Sequence, residues 1–405
     1  VSIIRPFRAV RPIHTRVNEV AAVPYDVVNQ SEARQIVDGN PWSFLHVSRA
    51  EIDLPEGLNP YSSDVYSKAS SNFKYLIEHC PLMRESQNSL YVYRLRMGEH
   101  EQTGVVGCFS IDEYDSNQIK KHEKTRPDKE DDRTQHMLSL SAQTGPVFLT
   151  YRDVVEIDVE VAQVKAQTPI YDFVAVDGVA HTVWLIPDPS ELVQLFASRI
   201  PALYIADGHH RAAAASRVRE VLAKANPRHM GGEDYNFVLA VAFPASQLQV
   251  LPYHRVIRDL RQMTEADFLD QIKARFEVSL SKKHESQPGV FGMYLKSGWY
   301  HLRLKGQKAE NNLDVDLLQS NLLGPILGII DPRSDKRIDF VGGIRGIREL
   351  ENKVNSGEFA VAFAMHPTRL SQVMEVSDQN GIMPPKSTWF EPKLRDGLFC
   401  HVLSS

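Results

Sequence analysis

The chain has 405 residues, with 46 Lys+Arg against 51 Asp+Glu, a formal charge of −5, and 42% hydrophobic and 24% charged residues. This is a globular composition that excludes a disordered chain, and its acidic balance argues against a broad basic face for nucleic acid. Apolar runs are short, 238–243 being an example, against the roughly 18–20 residues of a membrane helix, and Cys80, Cys108 and Cys400 are too scattered for a CxxC zinc site or a disulfide framework.

The opening VSIIRPFRAVRP has arginines but no apolar core, so no signal peptide is expected. With the odd, scattered cysteines this predicts a reducing, cytoplasmic setting. Ser31 is the expected cap of a short helix ending near Val37, with Gly39 beyond it. The spacing of Val65, Phe73, Leu76 and Ile77 predicts a helix over 62–78. Strands 89–96 and 103–111, joined by the polar 98–101, read as a hairpin. The run 119–136 is the densest in charge and reads as a loop. Strands follow at 146–151, 170–176 and 181–186, then a helix capped by Ser190 and running to about Arg199. The apolar strand 202–206 runs into Asp207-Gly208-His209-His210-Arg211 and an Ala-rich helix to about 225. Strands are expected at 236–243 and 250–257, and Thr264 with Asp267 opens a helix through a capping box. The last third mixes strands at 290–304, 337–341 and 359–364 with helices at 314–323, 345–355 and 368–376. The fold class expected is mixed α/β (α+β), divided into 1–110, 111–260 and 261–405.

The turn at Asp207 carries the sharpest chemical signal. A buried strand stops, Gly208 permits a tight turn, and backbone N–H groups at the start of a helix favour an anion. Asp207, His209, His210 and Arg211 share that turn, and Arg211 can hold a phosphate or carboxylate by two contacts. The plain structural alternative makes Asp207 a helix cap with both histidines in solvent. Adjacent histidines usually diverge, so no metal site is expected, although a metal on His209 and His210 stays open as the mark of a hydrolase or nuclease.

The second signal is Lys121-His122-Glu123-Lys124-Thr125-Arg126 with Asp131-Asp132-Arg133. It reads either as a solvated charged loop or as a loop closing over a polyanion, with Arg126 or Arg133 on phosphate and Glu123 taking a proton from a hydroxyl. The third, 383–393, places Lys386, Ser387 and Thr388 after two prolines. It is no Walker A loop, and a rigid turn packed by Trp389 and Phe390 is its alternative. Pro24-Tyr25-Asp26 offers Asp26 as a cap or as a partner for a substrate amine. His254 reads as structural. GxSxG, HExxH and EF-hand patterns do not occur, and 342–346 lacks GxGxxG spacing.

Arg5-Pro6-Phe7-Arg8-Ala9, Pro24-Tyr25-Asp26, Lys121-His122-Glu123-Lys124-Thr125, Ala206-Asp207-Gly208-His209-His210-Arg211 and Met383-Pro384-Pro385-Lys386-Ser387-Thr388 together resemble the bacterial and archaeal family of domain of unknown function 1015, in the family's order and over almost the whole chain. The Asp-Gly-His-His-Arg element is also similar to that of the ParB/sulfiredoxin superfamily, which includes free-serine kinases. That resemblance implies a ParB/sulfiredoxin-like core at 111–260. It implies Glu123 as base and Asp207, His209, His210 and Arg211 as the phosphate-side group. Together with the residue readings above, the expected site has Glu123, Asp207 and His210 in catalysis, and Gly208, His209, Arg211, Arg126, Arg133, Lys386, Ser387 and Thr388 on the phosphate or nucleotide. Tyr25 and Asp26 would face the substrate. Sulfiredoxin chemistry needs a cysteine in this turn, where His209 and His210 stand. ParB function needs a basic helix-turn-helix, and none is evident. The expected activity is a small-molecule phosphotransferase acting on a hydroxyl of an amino acid, free serine first, using Mg²⁺ with ATP, ADP or pyrophosphate. A non-catalytic, ParB-like nucleotide-binding or regulatory protein is the alternative. Partners are the small-molecule substrate and the phosphate donor, with no membrane and no nucleic acid expected.

Overall fold

The computed structural model describes residues 2–79, 81–284, 287–306 and 313–403; Cys80 lies outside them. The architecture is mixed α and β. The chain forms two compact units, Val1–Leu248 with Pro392–Ser405, and Gln249–Glu391.

The first unit is built on a nine-stranded sheet. Its order is Ile119–Lys120, Leu203–Asp207, Val147–Tyr151, Phe237–Pro244, His100–Ser110, Leu90–Met97, Ala180–Ile186 and Tyr171–Val174, with Ile4–Arg5 also paired to His100–Ser110. Two pairings are parallel, Ile119–Lys120 with Leu203–Asp207 and Val147–Tyr151 with Phe237–Pro244; the others are antiparallel. The strand ending at Ser110 bonds to Phe237–Pro244, so residues on both sides of 110 share one sheet and one core. Val92, Val105, Leu149, Ile205 and Ala240 line that core. Helix His209–Ala225 packs on it through Ala212, Ala214, Ala215 and Val218, small side chains that let the helix axis approach the sheet closely.

Several local expectations are corrected here. Ser190 is the first residue of helix Ser190–Arg199, and the cap position is Pro189. The first short helix spans Gln30–Ile36 and is capped by Asn29 in a reciprocal box with Glu32, not by Ser31. The charged run is a loop only at 121–126. From Pro127 to Leu140 it is a helix, with proline at its start and Asp128 and Glu130 in its first turn, where the helix dipole favours negative charge. Its buried face carries Asp132, Arg133, Thr134 and His136 as well as Met137 and Leu140, so hydrophobic periodicity does not reveal it. Helix Val155–Lys165, another element the sequence did not suggest, leaves Val155 and Val159 exposed.

The C-terminal segment returns to the first unit. Asp396 exchanges backbone hydrogen bonds with Ala22, Cys400 does so with Val10, and His401–Val402 pairs with Ala142–Gln143. The second unit is a six-stranded antiparallel sheet, in the order Phe276–Ser281, Gly298–Leu304, Val290–Leu295, Val361–Ala364, Tyr253–Ile257 and Ile338–Gly342, over a core that includes Phe268, Leu302 and Phe363. Its start lies at Gln249, twelve residues before the segment expected to begin at 261. Among the described residues no helix is long and apolar enough to cross a membrane.

Candidate functional site

The strand Leu203–Asp207 ends in a register shift. Ile205 faces Leu149 while Asp207 faces Phe148, so Ala206 is the extra residue of a bulge. A bulge re-aims the side chain that follows it. Gly208 then occupies the cap position of helix His209–Ala225 with φ 97° and ψ 27°, a left-handed conformation that costs glycine little. The capping alternative for Asp207 is thereby corrected: the cap residue is Gly208, which has no side chain to offer the first N–H groups.

Asp207 instead meets the C-terminal segment. Its carboxylate accepts a hydrogen bond from Lys393 Nζ at 2.8 Å, with Arg211 Nη2 at 4.0 Å. Arg211 itself is turned inward and 5% exposed. It donates to the Pro146 carbonyl, and its guanidinium lies 3.2–3.4 Å from where a Cβ on Gly208 would stand. It lines a small buried cavity with Tyr25, Arg133, Gly145 and Asp396. Arg133 is not on a closing loop, as the sequence suggested. It sits in helix Pro127–Leu140, pairs with Asp132 at 2.7 Å, and stacks on the Tyr25 ring at 3.9 Å. Burial pushes Asp396 up from 3.8 to about 7; Arg211 and Arg133 pull it down, and the nearby Asp26 pushes it further up. Asp26 is exposed, next to the buried group.

The loop after Ile119–Lys120 lies beside the turn because that strand runs parallel to Leu203–Asp207, with Ile119 opposite Leu203 and Lys120 opposite Tyr204. His122, Glu123 and His209 therefore come together, each with a ligand atom within 4.8 Å of the others. The His122 and His209 rings meet edge to face at 4.4 Å. Burial lowers His122 to about 4, and burial followed by the neighbouring His122 holds His209 well below its usual value, so both rings are neutral near pH 7. The adjacent histidines diverge. His209 is buried against His122, while His210 Nε2 accepts the backbone N–H of Arg126 at 3.1 Å. The Arg126 side chain is exposed and held by Asp128 at 2.9 Å.

The structure thus brings Glu123, Asp207, Gly208, His209 and His210 around one strand-to-helix turn, with Arg211 beneath it, Arg133 and Tyr25 on the neighbouring cavity, and the exposed Asp26 near Asp396. Lys386, Ser387 and Thr388 belong to the second unit. There the Ser387 hydroxyl donates to the Pro384 carbonyl at 2.6 Å and the Lys386 carbonyl accepts from Arg255, which gives this segment a place in a local turn. His254 is 1% exposed and accepts the Met365 N–H, a structural role. Sequence reading missed Lys393 and Asp396, whose only signal was a Lys-x-x-Asp after a proline, and it missed His122 as a partner of His209.

A family model described as "Protein of unknown function (DUF1015)" matches residues 4–321. The chain belongs to the DUF1015 family. No curated protein matches this DUF1015 chain. Solved structures with some likeness to it include a conserved hypothetical protein from Pyrococcus furiosus, at 15% identity and TM-score 0.38, covering 72% of this chain and 93% of that one. A free serine kinase in complex with AMP matches at 12% identity and TM-score 0.37, covering 72% and 92%. SbnI with a C-terminal truncation, from Staphylococcus aureus, matches at 10% identity and TM-score 0.40, covering 72% and 85%.

Proposed function

We propose that this DUF1015 protein is a small-molecule phosphotransferase that acts on the hydroxyl of an amino acid, free serine first, with a nucleotide or pyrophosphate as donor. The observation that carries this reading is the placement of the half-buried Glu123 carboxylate beside the start of helix His209–Ala225, at the end of the strand whose Asp207 holds Lys393. Phosphoryl transfer asks a protein mainly to position two reactants and to neutralise spreading negative charge. The helix N-terminus and Lys393 supply positive potential for the donor phosphates. Glu123 accepts the proton from the attacking hydroxyl as the O–P bond forms, and the donor's P–O bond breaks with its electron pair leaving on the remaining nucleotide, or on phosphate when pyrophosphate is the donor. Exposed Asp26 offers a partner for the acceptor's ammonium group. Magnesium would arrive with the donor: the clustered protein ligands at the turn are two imidazoles and one carboxylate, whereas Mg²⁺ prefers oxygen.

The test incubates the purified chain with serine and a panel of hydroxylated amino acids, Mg²⁺, and ATP, ADP or pyrophosphate, and measures the phosphorylated product. Glu123→Gln should lower turnover about 10²- to 10⁴-fold with donor binding retained. Nucleotide binding without turnover on any acceptor would make the protein a binding module and overturn the catalytic reading.

A further inference from the structure

The geometry points to a binding site for a divalent transition-metal ion, Zn²⁺ in the first place, formed by His122, Glu123 and His209. The three groups are brought together by the fold and not by one local motif. His122 and Glu123 follow one sheet strand, His209 follows its parallel neighbour, and their ligand atoms already lie within 4.8 Å of one another. Zinc–ligand bonds of about 2.0–2.2 Å place donor atoms roughly 3–3.5 Å apart, so the remaining approach is roughly 1–2 Å at most.

A second observation is independent of the clustering. His122 is 1% exposed, and among the described residues neither of its ring nitrogens has a hydrogen-bond partner of normal geometry, although the Ile205 backbone lies alongside. An imidazole buried in this way is left short of good hydrogen-bond partners, which a bound ion would supply. Its near neighbour is the His209 ring, which receives only a long contact, the His122 backbone N–H to Nε2 at 3.5 Å. Imidazole binds a metal through a ring-nitrogen lone pair, and the half-buried Glu123 supplies the charge. Two nitrogens and one carboxylate suit zinc, manganese, iron or cobalt better than magnesium or calcium. With three protein ligands the ion would keep open positions, as catalytic zinc sites do. One carboxylate oxygen on the ion leaves the second to face a substrate, so the site is compatible with phosphoryl transfer and does not depend on it.

The experiment uses the full chain, stripped with a chelator and dialysed against Zn²⁺ or Co²⁺. Metal content is measured by mass spectrometry, affinity by competition with a chromophoric chelator, and the cobalt form by its visible absorption. About one equivalent of zinc is expected, with a cobalt spectrum of low coordination number. His122→Ala and His209→Ala should each weaken binding by more than about 100-fold, beyond what loss of an outer partner costs. The exposed His79→Ala should leave binding unchanged. If the alanine variants do not fold, Glu123→Gln, which keeps the side-chain volume, should still change the cobalt spectrum and lower affinity. Substoichiometric metal in the wild-type chain, or full binding in the folded variants, overturns the proposal. Metal content is read without turnover, so this outcome is separate from the fate of the phosphotransferase reading.

Discussion

Replacing Asp396 by asparagine should change how the first unit responds to pH. Asp396 is 3% exposed, and its folded-state value of about 7 lies well above the 3.8 of a free carboxyl. Below about pH 4 folded and unfolded chains both hold the proton, and the group contributes nothing to pH dependence. Between there and pH 7 the folded chain keeps a proton that the unfolded chain has released, so stability falls by about 1.4 kcal/mol per pH unit, about 4 kcal/mol in all. Above pH 7 the penalty is constant. The groups facing Asp396 are Arg211, Arg133, Asp26 and Tyr25. An asparagine side chain cannot ionise and keeps nearly the same shape. The stability of Asp396→Asn relative to wild type should therefore rise by about 4 kcal/mol between pH 4 and pH 8. Amide hydrogen exchange over 392–403, compared between the two proteins at each pH, reads this locally and avoids treating two units as one transition. A difference that stays flat with pH would show that Asp396 is already ionised in the fold, and would refute the cavity electrostatics described here.

Gly208→Ala should destabilise the protein by about 1–2 kcal/mol, the cost of a left-handed residue with a side chain, and should also disturb Arg211, whose guanidinium stands 3.2–3.4 Å from the new Cβ. Gly178→Ala, at φ +80° with open space around it, isolates the backbone part, so equal losses in thermal melts would remove the contact with Arg211 from the explanation. Lys393→Met should cost about 1–2 kcal/mol, discounted for the 28% exposure of Asp207, and Asp207→Asn in the same chain should recover part of it. A double-mutant cycle with no coupling would mean that the ion pair contributes nothing.

The fold class and the strand-to-helix turn could be read from residues 202–225, because an apolar strand, a glycine and an alanine-rich helix are local signals. The helix Pro127–Leu140 could not, since its inward face mixes Met137 and Leu140 with the paired Asp132 and Arg133 and with His136, which bonds the Val47 carbonyl, instead of showing an apolar stripe. Glu123 was visible as a chemical residue, but its neighbours were not: the approach to His209 is set by parallel pairing of two strands 84 positions apart. Arg211 looked like an outward anion ligand from its place in the first helical turn. Its inward course follows from the Pro146 carbonyl and the carboxylate of Asp396, which comes from nearly two hundred residues further on. The capping box at Thr264 needed only a four-residue pattern, and it forms as read.

The return of residues 392–403 to the first unit has a consequence for synthesis. Ala22 and Val10 emerge from the ribosome early, yet their partners Asp396 and Cys400 come only after the 143 residues of Gln249–Glu391. At about 5–20 residues per second this interval lasts roughly 7–30 s. Throughout it Asp207 lacks Lys393, and the cavity beside Arg211 lacks its carboxylate. A chain that stalls before Pro392 can fold most of the sheet but cannot complete the turn's surroundings, so the acquisition of a finished site reports that translation has passed residue 396.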